Sequence, residues 1–277
     1  MDIIDLALYE DIGDGDVTSA YFVDPQQFAR AVLIARESCV LAGGKVAEEV
    51  FRRVEPSLQI AVLRRDGERL EQGDQIMDLF GKATAILTAE RTALNFIQRL
   101  SGVATLTRRY VDAISGTHAI LLDTRKTTPG LRKFEKAAIV AGGGTNHRIG
   151  LFDKVLVKDN HLATMSRDAL VEAIARVRRE RPGVKIELEA DTLEQVRRFA
   201  ALGGVERILL DNMTPAQIRE ALTFRKPDLT FEASGGIHLE NIKEIAATGV
   251  DYISVGGLTH AARAIDLALD FQIIPKQ

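Results

Sequence analysis

The chain has 277 residues, 46% of them hydrophobic and 27% charged, with a formal net charge of −3. That balance belongs to a folded globular protein, long enough for one large domain or two smaller ones. Slight acidity gives no reason to expect nucleic acid or an anionic membrane as partner, so any anion chemistry must come from a local cluster of cations. The single cysteine, Cys39, excludes an internal disulfide and a cysteine-based zinc cluster. Set in a strand-like run, it reads as a small apolar residue rather than a nucleophile. The start Met1-Asp2-Ile3-Ile4-Asp5 lacks the basic residues and apolar stretch of a signal peptide. No apolar run approaches about twenty residues, so no membrane span is expected and a reducing cytoplasm fits best.

In chain order, Ile3, Leu6 and Ala7 predict a short amphipathic helix, followed by a loop dense in Gly and Asp from Glu10 to Asp16. Strands are predicted at residues 30–36 and 38–41, then a Gly-Gly turn and a helix near 45–54. Further strands at 57–64 and 75–80 flank the turn-rich stretch from Asp66-Gly67 to Gly73-Asp74. Turns of this kind also occur in barrel-sandwich carrier domains; no Met-Lys-Met-type attachment turn follows, so a structural hairpin is expected. The mixture predicts a compact α+β unit. Apolar positions Ile86, Leu87, Leu94, Ile97 and Leu100 predict a long helix over about 84–100, punctuated by Ser101-Gly102, with a second helix at 104–114. The domain boundary is placed near residue 105.

From residue 118 the pattern alternates β and α. Strands are predicted at 119–123, 155–158, 185–189, 207–211, 230–233 and 252–255, with helices at 167–179, 193–202, 215–222 and 239–248. Short, apolar, β-branched strands belong to a parallel sheet covered on both faces. Six strands, with a candidate seventh at 139–141, predict an α/β fold: an incomplete parallel β/α barrel, or an open doubly wound sheet.

Each of these strands ends in polar residues or glycine. The endings are Asp123-Thr124-Arg125-Lys126, Lys158-Asp159-Asn160-His161, Glu189 with Asp191, Asp211-Asn212, Ser234-Gly235-Gly236 and Gly256-Gly257. Polar residues that merely begin loops explain one or two such endings and explain six poorly. In parallel barrels these ends converge on one face, where catalytic groups collect. Arg125, Lys126, His147, Arg148 and Lys158 form a cationic arc suited to carboxylate and phosphate. Glu189 and Asp211 lie on the opposite arc, where oxygen ligands suit a divalent cation or sugar hydroxyls. The glycine pairs present backbone N–H groups where such barrels seat phosphate. Gly142-Gly143-Gly144 suggests either close approach to a ligand or a plain flexible loop. His147 has no partner at metal-site spacing and reads as a hydrogen-bonding group. A Schiff base at Lys158, as in aldolase-type barrels, ranks below ion pairing. Arg91, on the long helix, reads by itself as a solvated surface group.

Several stretches carry a resemblance: EDIGDGDVTS from Glu10, LTAERTALNFIQRLSGVAT from Leu87, and LDTRKTTPGLRKFEKAAIVAGGGTNHRIGL from Leu122. VKDNH from Val157, LLDNM from Leu209, EASGGI from Glu232 and GVDYISVGGLTH from Gly249 complete it. In this order, over almost the whole chain, they resemble the quinolinate phosphoribosyltransferase family. The block around TRKTTPG and GGGTNHR is its most specific part. Two departures, Ala190 where a β-branched residue is usual and Gly257 where alanine is common, remove no functional group.

The resemblance implies an N-terminal α/β sandwich domain (1–105) and a catalytic incomplete barrel (106–264), with a tail from about 265 to 277 returning to the first domain. It implies transfer of the phosphoribosyl group of phosphoribosyl pyrophosphate to quinolinate, with decarboxylation to nicotinate mononucleotide, and Mg2+ as cofactor. It implies a homodimer or higher homo-oligomer in which Arg91 completes the neighbouring site. By the same resemblance Arg91, Arg125, His147 and Arg148 form the quinolinate set. Lys126, Lys158, Glu189 and Asp211 are the catalytic set. Lys126, Lys158, Ser234, Gly235 and Gly256 hold phosphoribosyl pyrophosphate, while Glu189 and Asp211 hold the metal, partly through water. The rival readings are a paralogous phosphoribosyltransferase, for nicotinate or of the kind associated with molybdate transport, an aldolase using Lys158, and a non-catalytic phosphate-binding protein.

Overall fold

The computed structural model describes residues 2–163 and 165–275. The chain divides into two compact units. The first takes the residues up to Arg108, Thr127–Gly143 and those from Leu258 onward; the second takes Arg109–Lys126 and Gly144–Gly257. Among the described residues, no helix is long and apolar enough to cross a membrane.

The first unit begins with α1 (Ile3–Ile12) and α2 (Val17–Phe22). Asp2 caps α1 by accepting from the backbone N–H groups of Ile4 and Asp5. The predicted Gly/Asp loop is therefore shorter than expected, because α1 runs to Ile12 and Asp16 caps α2 through Ser19. Strands β1 (Phe28–Ala35) and β2 (Cys39–Val40) follow, then α3 (Gly44–Val54). Next come β3 (Gln59–Val62), β4 (Arg69–Leu70) and β5 (Gln75–Lys82). β3 and β5 form the expected antiparallel hairpin, and β4 inside it pairs instead with β2.

Alternation explains the core. Ala29, Ala31, Leu33 and Ala35 of β1 are buried, and Leu79 and Met77 of β5 stand opposite Ala31 and Leu33. Phe51 of α3 and Ile86, Ala89, Ala93 and Ile97 of the following helix belong to the same apolar cluster. Cys39 is buried there, and burial pushes its thiol pKa up to about 11, so it is not a thiolate nucleophile.

That helix, α4 (Ala83–Ala113), is one continuous 31-residue element, not the two helices predicted from Ser101-Gly102. Both residues serve packing. The Ser101 hydroxyl donates to the Ala42 carbonyl and accepts from the Ala42 N–H, each at 3.1 Å. A Cβ on Gly102 would lie 1.8 Å from the Arg263 carbonyl oxygen. α5 (Arg132–Ala141) contains residues 139–141, which were expected as a strand; Ala138 and Ile139 are buried as part of its apolar face.

In the second unit, β6 (Ile120–Leu122) is followed by β7 (Val155–Val157), α6 (Asp159–Leu162), α7 (Arg167–Glu180), β8 (Ile186–Ala190) and α8 (Leu193–Ala200). Then come β9 (Arg207–Asp211), α9 (Pro215–Leu222), β10 (Thr230–Ser234), α10 (Ile242–Ala246) and β11 (Tyr252–Ser254). α10 is shorter than the helix predicted over 239–248. The six strands are parallel in the order β6-β11-β10-β9-β8-β7, and Thr145 adds a single parallel bridge to Leu122 on the outer side of β6. The seventh strand position is therefore Thr145. This is an incomplete β/α barrel, open between Thr145 and β7. After α11 (Gly257–His260), β12 (Leu267–Ile273) returns to the first unit and pairs antiparallel with β1.

The Gly102 contact gives a direct test. Gly102→Ala is expected to lower unfolding free energy by about 3 kcal/mol, the upper range for overpacking against fixed backbone. Urea denaturation measures it, and a change within about 0.5 kcal/mol, typical of surface positions, would show that the helix does not need this glycine.

Candidate active site

The second unit brings together every predicted site residue except Arg91, which stands exposed on α4 in the first unit. Parallel pairing explains the convergence. Glu189 lies opposite Leu209, and Asp211 opposite Ser234, so the carboxyl ends of β8, β9 and β10 line up. Arg125 and Lys126 follow β6, His147 and Arg148 follow the Thr145 bridge, Lys158 follows β7, and Gly256 follows β11.

The cationic arc is under electrostatic tension. Burial and the like charge of Arg125 both lower the basicity of Arg148, while Glu187, Asp153 and Glu189 oppose them. Two guanidiniums that act on one another in this way have the charge to answer an anion with more than one negative group.

The acidic arc is compact. Ligand oxygens of Glu189, Asp191 and Asp211 lie within 4.8 Å of one another. Burial raises the pKa of Asp211; Asp191 adds to the shift, while Lys158 and Lys126 oppose it. Lys158 Nζ donates to Glu189 Oε2 at 2.6 Å. An ammonium so paired is in the opposite state from the neutral amine that Schiff-base formation needs. An all-oxygen cluster of this size fits a hard divalent cation such as Mg2+.

The glycine-rich corner depends on unusual backbone. Asn212 has φ 54°, the only non-glycine residue with positive φ among those described. Its Nδ2 donates to Asp211 Oδ2 at 2.7 Å, and its N–H donates to the Ser234 carbonyl at 2.8 Å. Gly235, at φ 86°, packs so closely that a Cβ would lie 2.2 Å from Asn212 Oδ1. Gly235 has no room for a side chain, and Asn212 holds a backbone conformation that few side chains adopt.

A deeper charged layer was not anticipated. Glu187 and Glu232 are fully buried. Glu187 shares the inward face with Glu189, two residues on. Lys154 Nζ donates to Glu187 Oε2 at 3.0 Å, and Arg207 Nη1 donates to Glu232 Oε2 at 2.6 Å. His147 Nε2 lies 3.1 Å from Glu187 Oε2 and 3.4 Å from Glu232 Oε2. Its Nδ1 accepts the Arg148 N–H at 2.7 Å, and its own N–H donates to buried Asp123 Oδ1 at 2.7 Å. Burial alone would lower the pKa of His147; the two carboxylates outweigh it and raise the value. Burial would likewise raise the pKa of Glu187, but His147, Lys154 and Arg207 hold it below the carboxylate range. The Glu-Leu-Glu alternation in β8 was the available signal for this layer.

An incomplete β/α barrel whose strand ends divide into a guanidinium pair, an acidic cluster and a glycine-rich corner has the make-up of a phosphoribosyl-transferring enzyme. The comparisons agree. Residues 16–101 match the model for the quinolinate phosphoribosyl transferase N-terminal domain, and residues 103–270 that for the C-terminal domain. The chain is 41% identical to a probable nicotinate-nucleotide pyrophosphorylase [carboxylating] of Bacillus subtilis, covering 94% of this chain and 89% of that one. It is 42% identical to the Mycobacterium leprae nicotinate-nucleotide pyrophosphorylase [carboxylating], covering 97% and 96%. NadC from Streptococcus pyogenes superposes with a TM-score of 0.92 at 37% identity, over 98% of this chain and 96% of that one. The chain belongs to the quinolinate phosphoribosyltransferase family, pentosyltransferases of NAD biosynthesis. Human nicotinic acid phosphoribosyltransferase, at 13% identity and TM-score 0.62, shares the fold alone.

The left-handed corner can be tested by itself. Asn212→Ala is expected to be about 1 kcal/mol less stable than Asn212→Gly, because alanine carries the left-handed penalty and glycine does not. Equal urea midpoints with equal slopes would remove backbone strain as the reason for asparagine here.

Proposed function

We propose that this site runs the phosphoribosyl transfer from phosphoribosyl pyrophosphate to quinolinate, with release of pyrophosphate and carbon dioxide, and that its residues divide the work as follows. The observation carrying the reading is the Arg125–Arg148 pair, which answers the two adjacent carboxylates of quinolinate. His147 joins that set through the Arg148 backbone it holds. Arg91 reaches the site of a neighbouring subunit in a homodimer or larger assembly, in keeping with its exposure on α4. Cytoplasm is the proposed location.

Lys126 and Lys158 face the pyrophosphate, where positive charge stabilises the leaving group. Ser234, Gly235 and Gly256 seat the 5′-phosphate through backbone N–H groups. Glu189 and Asp211, joined by Asp191, would hold Mg2+, which when bound neutralises pyrophosphate charge and anchors the ribose. The same carboxylates favour an oxocarbenium-like sugar carbon in the transition state. Alignment then brings the pyridine nitrogen onto that carbon as the bond to pyrophosphate breaks. The ring nitrogen is now cationic, so the neighbouring carboxylate can leave as carbon dioxide. The electron pair stays on the ring carbon and takes a proton.

Release of carbon dioxide from quinolinate, dependent on both phosphoribosyl pyrophosphate and Mg2+, is the expected result of the primary assay. Turnover of nicotinate in place of quinolinate would point to the paralogous reading and overturn this one. Arg125→Ala is expected to lose at least about a hundredfold in kcat/KM, the scale for removing an oriented charged contact; near-wild-type kinetics would refute its role. Arg91→Ala and Arg125→Ala proteins should each be inactive alone and regain activity when dissociated and reassembled together. Failure of the hybrid to recover would place Arg91 outside the neighbouring site.

A further inference from the structure

The transfer reaction makes no use of the charged layer one strand repeat below Glu189. Four ionisable side chains are spent there: Lys154, Glu187, Arg207 and Glu232. Burying such pairs adds little net stability, since desolvation offsets attraction. Both carboxylates turn an oxygen toward one atom, His147 Nε2, whose side chain is only 7% exposed. The other ring nitrogen accepts the Arg148 N–H. Both ring nitrogens of His147 are therefore engaged by the protein.

We propose that Glu187 and Glu232, neutralised by Lys154 and Arg207, are positioning residues that hold His147 as its Nε2–H tautomer, and that His147 acts on quinolinate only by fixing Arg148. The inference rests on the quinolinate reading above and assigns His147 a role different from direct contact. The geometry sets the tautomer: Nδ1 accepts a backbone N–H, so the ring proton sits on Nε2, facing the carboxylates. The two carboxylates favour a protonated ring, but Lys154 and Arg207 balance their charge and Nδ1 already accepts a backbone N–H, so the geometry holds the neutral form. With its backbone N–H on Asp123 and its ring clamped at both nitrogens, His147 leaves Arg148 little freedom of main-chain direction.

Two measurements test this. In wild-type enzyme labelled with 15N-histidine, the His147 ring, assigned by its loss in His147→Gln, should show the Nε2–H tautomer. Its nitrogen shifts should be unchanged on saturation with quinolinate. A ring protonated at Nδ1, or ring shifts that move with quinolinate, would overturn the proposal. In kinetics, Glu187→Gln and Glu232→Gln should raise KM for quinolinate at least about tenfold, as loss of an orienting outer contact does, with KM for phosphoribosyl pyrophosphate little changed. The charge-balanced double variant Lys154→Met/Glu187→Gln should recover most of the loss. Equal shifts in both KM values, or no recovery, would reduce the layer to a structural role. Were the single variants not to fold, the spectrum of the wild-type enzyme would decide alone. Wild-type enzyme that releases no carbon dioxide from quinolinate would instead refute the underlying function.

Discussion

One oxygen atom, Glu187 Oε2, ties the second unit together. The sheet is open between the Thr145 bridge and β7, and among the described residues no backbone ladder closes that seam. His147 follows one side of the seam and Lys154 precedes the other. Their nitrogens meet on Glu187 Oε2 at 3.1 and 3.0 Å. At such a separation an ion pair attracts by roughly 5 kcal/mol if the effective dielectric constant is about 20, and desolvation cancels much of it. What survives is direction. A charged staple does for this opening what strand pairing does elsewhere, and it leaves the connecting loop free to carry Arg148.

Much of the fold was legible because buried parallel strands leave a strong mark. All six barrel strands lie within a residue or two of the apolar runs that predicted them. The failures share a cause. Ser101-Gly102 reads as a break when only local propensity is weighed, but a small residue in a helix also permits close approach, and the Arg263 backbone makes that approach. Residues 139–141 are β-branched or small enough for a strand, yet in α5 Ile139 is buried while Val140 is exposed, and Gly142 just beyond packs closely against Ala104 and Thr107 of α4. Non-local packing decided both cases, and no local pattern encodes it.

The upper rim of the site was legible for a different reason. Charged groups and glycines recur at strand ends, and topology alone gathers those ends. The layer beneath was not. Glu187 and Glu232 sit inside strands, where a carboxylate looks like the exposed half of an alternating pattern. Only the enclosure of the sheet turns that face inward. Arg207 and Lys154 then read as ordinary loop-edge cations until their partners are known. Asp191, visible as a strand-end carboxylate, joins the acidic cluster only through the geometry that brings it to Asp211.

The buried layer also bears on why the rim can hold two guanidiniums at all. Arg125 and burial together disfavour the charged form of Arg148. Glu187, Asp153 and Glu189 counter this through space. Glu187 gives the oxygen in question to His147 and Lys154, and Glu189 gives one to Lys158. They thus lend negative potential to Arg148 while their described hydrogen bonds go elsewhere. A counter-ion bonded directly to the guanidinium would occupy its planar fork; one held a layer below supports the charge without doing so. Separating the groups that stabilise a charge from those that use it is what lets one small opening in a barrel be both well ordered and strongly cationic.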